Sequence, residues 1–204
     1  MESLARGGTR WKRFAVVMVP SVAATAAIGV ALSQGALAAS FSVSGQQFKV
    51  TASELNGKDF VQYGAVDSGK KPVAVVGFGS AEIKNLCQSV VVPVPIFGNL
   101  TMKLEAGGGD PVEAKTLYID ADDLHANAEF TNIDIGVDVD KTKTGPSAGD
   151  KAKKKYVPGS FAQQADSVKF TDVKQRAWAT TAGTFKLSGL HMNVSHGKDE
   201  CYKG

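Results

Sequence analysis

The stretch NIDIGVDVD, residues 132–140, alternates apolar and polar side chains along its length. Successive side chains of a β-strand point to opposite faces, so a period of two sends one set of residues into a core and the other into water. The apolar set is Ile133, Ile135, Val137 and Val139, and the acidic set is Asp134, Asp138 and Asp140. The alternation predicts a half-buried strand and favours an all-β protein.

The same period recurs over most of the chain. TLYIDADDL places Leu117, Ile119 and Ala121 at alternate positions, and other apolar runs are separated by Gly, Asn, Asp and Pro turn signals. Apart from a short helix expected over residues 161–166, no long helical stripe follows the leader. We expect a single domain, residues 39–204, in which roughly eight to ten strands form a curled antiparallel sheet, either a sandwich or an open barrel.

A recurring motif indicates that these strands are interrupted. Two alternating apolar residues are followed, two or three positions later, by another apolar residue in FKVTASEL, AEIKNL, LYIDADDL, VKFTDV and FKLSGL. An inserted residue changes the phase of alternation, so the motif is typical of a strand, a small jog and a second strand. FKLSGLHMNV has a predicted inward set of Phe185, Leu187 and Gly189, followed after a one-residue change of phase by Leu190, Met192 and Val194. This change of phase predicts a bulge near Gly189.

Residues 1–38 have the pattern of an export leader, with four basic residues ahead of an uncharged run over residues 14–39. Ala36 and Ala38 predict signal peptidase cleavage between Ala38 and Ala39. The run is also long enough to remain in the bilayer as a signal anchor. In both cases the basic end stays in the cytoplasm and the rest is translocated. We therefore expect a secreted or cell-surface protein, tethered by its N-terminal helix if the leader is not cleaved.

The charges of the exported part are balanced. Residues 1–38 contain four of the 23 basic and one of the 20 acidic residues, so 19 of each sign remain. This balance lacks the basic bias of a nucleic-acid-binding domain. Cys87 and Cys201 are the only cysteines, and we expect them to pair in an oxidising exterior, with two free thiols as the alternative. No cofactor is expected.

A lysine-rich segment breaks the strand pattern. KTKTGPSAGDKAKKKYVP, residues 141–158, has no apolar periodicity, which predicts a disordered, solvated loop. It contains GPSAG, which matches the G-x-S-x-G pattern of a nucleophile elbow. A serine hydrolase would use Ser147 with Asp172 and His191, and Asp166 or His196 would give the same chain order. The elbow requires a buried strand before it and a helix after it, and the sequence predicts neither.

Acidic and histidine residues supply the metal-ligand candidates. Asp134, Asp138 and Asp140 lie one predicted strand away from Asp120, Asp122 and Asp123, and calcium prefers carboxylate oxygens. The alternative is that alternating acids keep a strand face soluble and block edge pairing. His191 and His196 are five residues apart and would lie on opposite faces of a strand, so with His125 we interpret them as surface histidines rather than zinc ligands.

The run VVVPVPIFGNL, residues 90–100, is the most apolar segment of the exported part. Proline donates no ladder hydrogen bond, so the run is predicted to be an edge, the rim of a cavity or an interface rather than a central strand. Curled sheets of this size can enclose an apolar ligand. The cavity candidates are Val92, Val94, Ile96, Phe97, Phe130 and Phe185.

Four segments together resemble a known family. They are the leader with its WKRF start, ALAASFSVSGQQFKVTASEL, AEIKNLCQSVVVPVP and the terminal GLHMNVSHGKDECY. The chain is similar over essentially its whole length to an actinobacterial family of exported proteins of unknown function. Members often carry the label cholesterol esterase, and some are encoded near small multi-pass membrane proteins. The resemblance implies export, a membrane-protein partner and, by the label, a hydrolase.

Three functions are therefore compatible with the sequence. The first is a non-enzymatic envelope protein that binds or passes an apolar ligand such as a lipid. The second is a lipid-ester serine hydrolase using Ser147. The third is a structural surface protein that associates with a second copy through the VVVPVP segment. The sequence favours binding or structure over catalysis, because the serine motif lies where no supporting strand and helix are predicted.

Overall fold

The computed structural model describes residues 46–66, 70–94, 98–146 and 155–203, which all fall in one compact unit, residues 45–204. The leader, Ser147, Ile96 and Phe97 lie outside the described residues. The strands are β1 (Phe48–Val66), β2 (Pro72–Lys84), β3 (Leu86–Val94), β4 (Gly98–Ala106), β5 (Val112–Asp138), β6 (Lys155–Tyr156), β7 (Phe161–Thr181), β8 (Thr184–Lys186) and β9 (His191–His196), with one 3-10 turn at Val139–Lys141. The all-β prediction is confirmed.

These strands form a single antiparallel sheet with the order β2-β5-β7-β1-β3-β4-β9. In addition β2 pairs with β1, so the pairings of β1, β2, β5 and β7 form a ring. The ring is not a closed barrel, because β2 pairs with residues 112–121 of β5 whereas β7 pairs with residues 118–138. The expected open barrel is therefore the form that the sheet adopts. β6 pairs with β1, and β8 pairs with β5.

Four phenylalanines, one from each ring strand, fill the centre of the ring. Phe60 of β1 has its ring centroid 5.7 Å from Phe78, 5.3 Å from Phe130 and 6.1 Å from Phe170. Tilted and edge-to-face pairs at such distances are favourable beyond the area that they bury. Gly57 makes room for this packing, since a Cβ there would lie 2.3 Å from the Phe78 ring. The interior of the ring is a packed core.

Positive φ angles mark the bends of the long strands. Asp59, Thr116 and Asp172 have φ between 52° and 53°, a backbone region that residues other than glycine rarely occupy. Asp172 lies in the jog predicted from VKFTDV, and burial changes phase there, because Phe170 and Val173 on either side of the jog are both buried. The predicted recurrence of strand, jog and strand is thus observed, without a regular repeat.

Asn85 divides one long strand into two. β2 and β3 run along β1 in one register, from Val66 opposite Pro72 to Phe48 opposite Val90. Between them Asn85 has φ 50°, and its side-chain amide donates a 2.9 Å hydrogen bond to the Ser53 hydroxyl. On the side away from β1, the part before Asn85 (β2) pairs with β5, and the part after Asn85 (β3) pairs with β4. Asn85 therefore separates the ring from the outer strands β3, β4 and β9.

Three local predictions were wrong. Residues 161–166 are part of β7 and not a helix. Ile135 is 66% exposed instead of buried, because the neighbouring Gly136, at φ 87°, coincides with a register shift between Ile135 and Val137. Gly189, at φ 66°, lies in a turn between β8 and β9 instead of a bulge within one strand, and Leu190, Met192 and Val194 beyond it are 51–60% exposed instead of buried.

Both described ends of the lysine-rich segment, residues 141–146 and 155–158, make contacts within the fold. The Thr144 hydroxyl donates to the Phe60 carbonyl at 2.9 Å, and the Lys143 N–H donates to Gln164 Oε1 at 2.7 Å. Pro146 is buried. These contacts cover a second apolar cluster that includes Val61 and Tyr63. The end of the segment that follows β5 therefore packs against the sheet.

Glu54 joins three strands near the Asn85 bend. Its carboxylate lies 2.9 Å from both Lys84 of β2 and Lys169 of β7, and it accepts a 3.0 Å hydrogen bond from Asn56. Hydrogen bonds from Lys84, then Lys169 and Asn56, lower the pKa of Glu54 from 4.5 to about 2. The ionised form is therefore favoured in the folded protein.

The variant Glu54→Gln is expected to lower stability modestly at pH 7 and not at pH 2. A lowered folded pKa contributes stability that is present above pH 4.5 and is lost as the pH falls through about 2. Urea unfolding followed by circular dichroism at pH 7, 4 and 2 measures this difference. The matched control is Glu129→Gln, an exposed carboxylate on β5 for which the difference should be small at every pH. If Glu54→Gln lowered the free energy of unfolding by the same amount at pH 7, 4 and 2, the ion pairs would not be the cause of its effect.

Candidate ligand-binding surfaces

The outer strands β3, β4 and β9 present one apolar face. Residues directly opposite each other in an antiparallel pair point to the same side. Val90 lies opposite Met102, which lies opposite Val194, and Val92 lies opposite Leu100. We call this surface the outer apolar face. Its members are Val90, Val92, Val94, Leu100, Met102, Leu104, Met192 and Val194.

The outer apolar face is exposed toward the sheet edge. Met102 is 43% exposed, and Met192 and Val194 are each 60% exposed. Toward the ring the face continues into the core, where Leu104 and Val50 pack against buried residues. Within the described residues β9 pairs only with β4, so it is an edge strand. Contiguous exposed apolar side chains of this kind mark interaction sites.

The opposite face of the same strands is polar, and the C-terminal tail covers it. Thr101 is fully buried, donates to the Gly197 carbonyl at 2.7 Å and accepts from the Asp199 N–H at 3.0 Å. The Ser89 hydroxyl is buried and accepts a 3.0 Å hydrogen bond from the Cys201 N–H. The chain therefore covers the polar face of the outer strands and leaves part of their apolar face in water.

A disulfide fixes the tail in this position. Cys87 of β3 is bonded to Cys201, as predicted, with a Cα separation of 5.9 Å. Two ion pairs assist it, Lys49 with Glu200 at 3.1 Å and Lys103 with Asp199 at 3.5 Å. Both ion pairs are partly exposed to solvent, so the covalent bond contributes most of the constraint.

Removing the disulfide in the double variant Cys87→Ser with Cys201→Ser is expected to destabilise the domain by about 4 kcal/mol. The two cysteines are 114 residues apart, and closing so long a loop restricts the unfolded chain strongly. Urea unfolding of the oxidised wild type and the double variant measures the loss. Reductant should lower the midpoint of the wild type and leave the double variant unchanged. Equal midpoints for oxidised and reduced wild type would contradict the assignment.

The inner end of the outer apolar face contains two glutamines. The row that crosses the sheet through Val50 has Gln175 of β7 on one side and Gln88 of β3 on the other. Beyond Gln88 the same row continues to Leu104 and Met192. Gln175 is 5% exposed, and its amide nitrogen has no hydrogen-bond partner among the residues that the structure describes. Both glutamines line a cavity of about 30 Å³ beside Phe185.

A concavity with a volume of about 600 Å³ lies on the polar side of the ring. Five adjacent strand segments form it, and the side chains that project into it are polar or charged, for example Lys58, Ser80, Glu82, Lys115 and Glu129. It contains both cations and carboxylates, so it has no single sign of charge. This groove is suited to a polar partner and not to an acyl chain.

The predicted cavity residues are distributed over three places. Val92 and Val94 lie on the outer apolar face, and Phe185 is 37% exposed beside the small cavity. Phe130 belongs to the packed phenylalanine core. The prediction that Pro93 excludes a central strand was wrong, because β3 lies between β1 and β4 in the sheet. β1 pairs only with residues 87–90 of β3, however, so Pro93 lies beyond that pairing.

The structure does not bring the predicted catalytic residues together. Asp172 of β7 is exposed and accepts a 3.1 Å hydrogen bond from Asn127. His191 lies on β9 opposite Glu105, and β1, β3 and β4 separate β7 from β9 in sheet order. The alternative Asp166 accepts from Asn132 at 2.7 Å. Ser147 is outside the described residues. The described part of the chain thus contains no assembled acid and histidine pair from this set.

The acidic metal candidates make hydrogen bonds within the fold. Asp134 accepts from Gln164 Nε2 at 2.9 Å, and Asp138 accepts from the Asp140 N–H at 2.9 Å. Asp140 accepts from the Tyr156 hydroxyl at 2.9 Å and the Gly159 N–H at 3.0 Å. Within the residues that the structure describes, no group of three or more potential ligands is placed to hold a metal ion. Their visible role is to anchor the turn after β5.

Among the described residues no helix is long and apolar enough to cross a membrane. Residues 44–202 match the model of a family of unknown function, DUF6230. The chain belongs to this family. No curated protein and no solved structure matches it. The match confirms the expected membership in a family of unknown function, and it specifies neither a source organism nor an activity.

Sequence reasoning on this DUF6230 protein missed the exposed part of the apolar face. Met102, Met192 and Val194 were not among the cavity candidates. A signal was present, because Cys201 has to return to Cys87 and therefore lays the tail on the face that Cys87 occupies. The tail then does not cover the other face of β3, β4 and β9, which carries the apolar side chains.

Proposed function

We propose that this protein is an exported, non-enzymatic envelope protein that binds the acyl chain of a lipid on the outer apolar face. The observation that carries the proposal is the contrast between the two faces of β3, β4 and β9. The chain's own tail covers the polar face, whereas Met102, Met192 and Val194 remain 43–60% exposed on the apolar one. Export is inferred from the leader sequence.

The composition of the face supports a lipid as its occupant. None of its eight members is charged, and methionine at two positions provides a flexible, polarisable surface that adapts to an irregular chain. The core of the ring is filled by phenylalanines, so a ligand has to bind at the surface rather than inside the barrel. Gln88 and Gln175 at the inner end favour an amphipathic small molecule over a purely apolar partner.

Association of two copies is the second candidate, and the exposed edge strand β9 favours it. An unpaired strand with exposed apolar side chains can extend the sheet into another molecule. In a two-fold pairing centred on Asn193, Met192 of each copy would lie opposite Val194 of the other. Catalysis receives no support from the described residues, because Asp172 and His191 are far apart in sheet order.

The double variant Met192→Asp with Val194→Asp is expected to bind cis-parinaric acid at least tenfold more weakly than the wild type. Contact of an acyl chain with a carboxylate would require desolvating the charge, which costs more than the 1.4 kcal/mol that corresponds to tenfold. Fluorescence titration of the folded, oxidised protein measures the affinity. The control is His191→Asp with Asn193→Asp, which places the same charges at exposed positions on the other face of β9 and should change binding less than threefold.

Light scattering of the same samples separates the two candidates. A monomer that binds the probe supports the lipid proposal. A concentration-dependent dimer that does not bind the probe and dissociates in the Met192 and Val194 variant would replace it with self-association. Equal binding by both charge variants would show that the outer apolar face is not the site.

A further inference from the structure

The row through Gln175 has an amphipathic order. From β7 outward it reads Gln175, Val50, Gln88, Leu104 and Met192, and on the ring side Leu124 of β5 lies opposite Gln175. Both amides thus lie in the inner part of this row, and apolar side chains lead from Gln88 to the open edge. Neighbouring strands are about 4.8 Å apart, so the row is roughly 20 Å long. That length matches an extended acyl chain lying across the strands with its polar end toward Gln175.

Gln175 has an unused donor at this inner end. Its side chain is 95% buried, since only 5% is exposed, and its Nε2 has no partner within the described residues. A buried amide nitrogen without a hydrogen bond is costly, and natural proteins rarely retain one without a role. The amide lines the cavity beside Phe185, together with Gln88 and Thr180. The cavity therefore has a mainly apolar lining, in which these three side chains supply the hydrogen-bonding groups.

The cavity is small and uncharged. Its volume of about 30 Å³ admits one group the size of a water molecule, which suits a single oxygen and excludes a chain. The described lining residues are Val50, Ile83, Leu86, Gln88, Leu117, Ile119, Gln175, Thr180 and Phe185, and none carries a charge. An ionised carboxylate placed there would be buried without a counterion, which is strongly unfavourable.

We infer that this cavity recognises the carbonyl oxygen of a neutral acyl ester, with Gln175 Nε2 donating the hydrogen bond and the acyl chain lying on the outer apolar face. The inference rests on the proposed lipid-binding function and specifies its ligand class. A neutral ester supplies an acceptor without a charge, whereas a free fatty acid at neutral pH brings a carboxylate. The protein therefore selects acyl esters over ionised fatty acids.

The test compares cis-parinaric acid with its methyl ester at pH 8, where the acid is ionised, because the two probes share one chain. The wild type is expected to bind the ester about tenfold more tightly. Gln175→Leu keeps the approximate size of the side chain and removes the donor. It should therefore lower the affinity for the ester about fivefold and change the affinity for the acid less than twofold. Because it removes a buried amide nitrogen that has no partner among the described residues, this variant should fold with undiminished stability.

The control variant Gln163→Leu changes a glutamine at the other end of β7 that bonds to Gln62 outside the cavity, and it should not alter the preference. If the wild type binds neither probe, the proposed lipid-binding function fails. If it binds both probes equally, or if Gln175→Leu keeps the full preference for the ester, lipid binding stands and the inference about Gln175 is overturned. In the latter case the cavity holds only water.

Discussion

The structure depends on a single change of partner at Asn85. Before this residue β2 pairs with β1 and β5 and belongs to the ring. After it β3 continues along β1 in the same register but pairs with β4 on its other side. The left-handed conformation of Asn85 and its hydrogen bond to Ser53 fix the point of division. Because the sheet divides here, β3, β4 and β9 extend beyond the packed ring, and the apolar side chains nearest the open edge, such as Met192 and Val194, remain exposed.

Two parts of the protein result from this division, and they have different physical roles. The ring buries its phenylalanines and is stabilised as an ordinary core. The outer strands have no second sheet, so only one of their faces is covered, by a tail that the Cys87 to Cys201 bond holds in place. The covered face is the polar one. An account in which the protein binds an apolar molecule explains why the other face remains open.

The sequence predicted the strands better than it predicted their surroundings. Alternation in TLYIDADDL identified Leu117, Ile119 and Ala121 as core, and all three are buried. The motif AEIKNL indicated the bend at Asn85, since an inserted residue alters the phase. Ile135 was misplaced because a local pattern does not show the φ of 87° at Gly136. The exposure of Met192 depends on which face the tail covers, and the order of Lys143 and Thr144 depends on distant contacts with Gln164 and Phe60.

The most direct measurement of the central claim is photo-crosslinking of the oxidised protein with a methyl ester whose acyl chain carries a diazirine, followed by mass-spectrometric mapping of the adducts. Our account places the adducts on Met102, Met192, Val194 and their neighbours on β4 and β9, and an excess of unlabelled ester should abolish them. Adducts confined to the polar groove around Lys58 and Lys115, or labelling that excess ester does not reduce, would contradict the account.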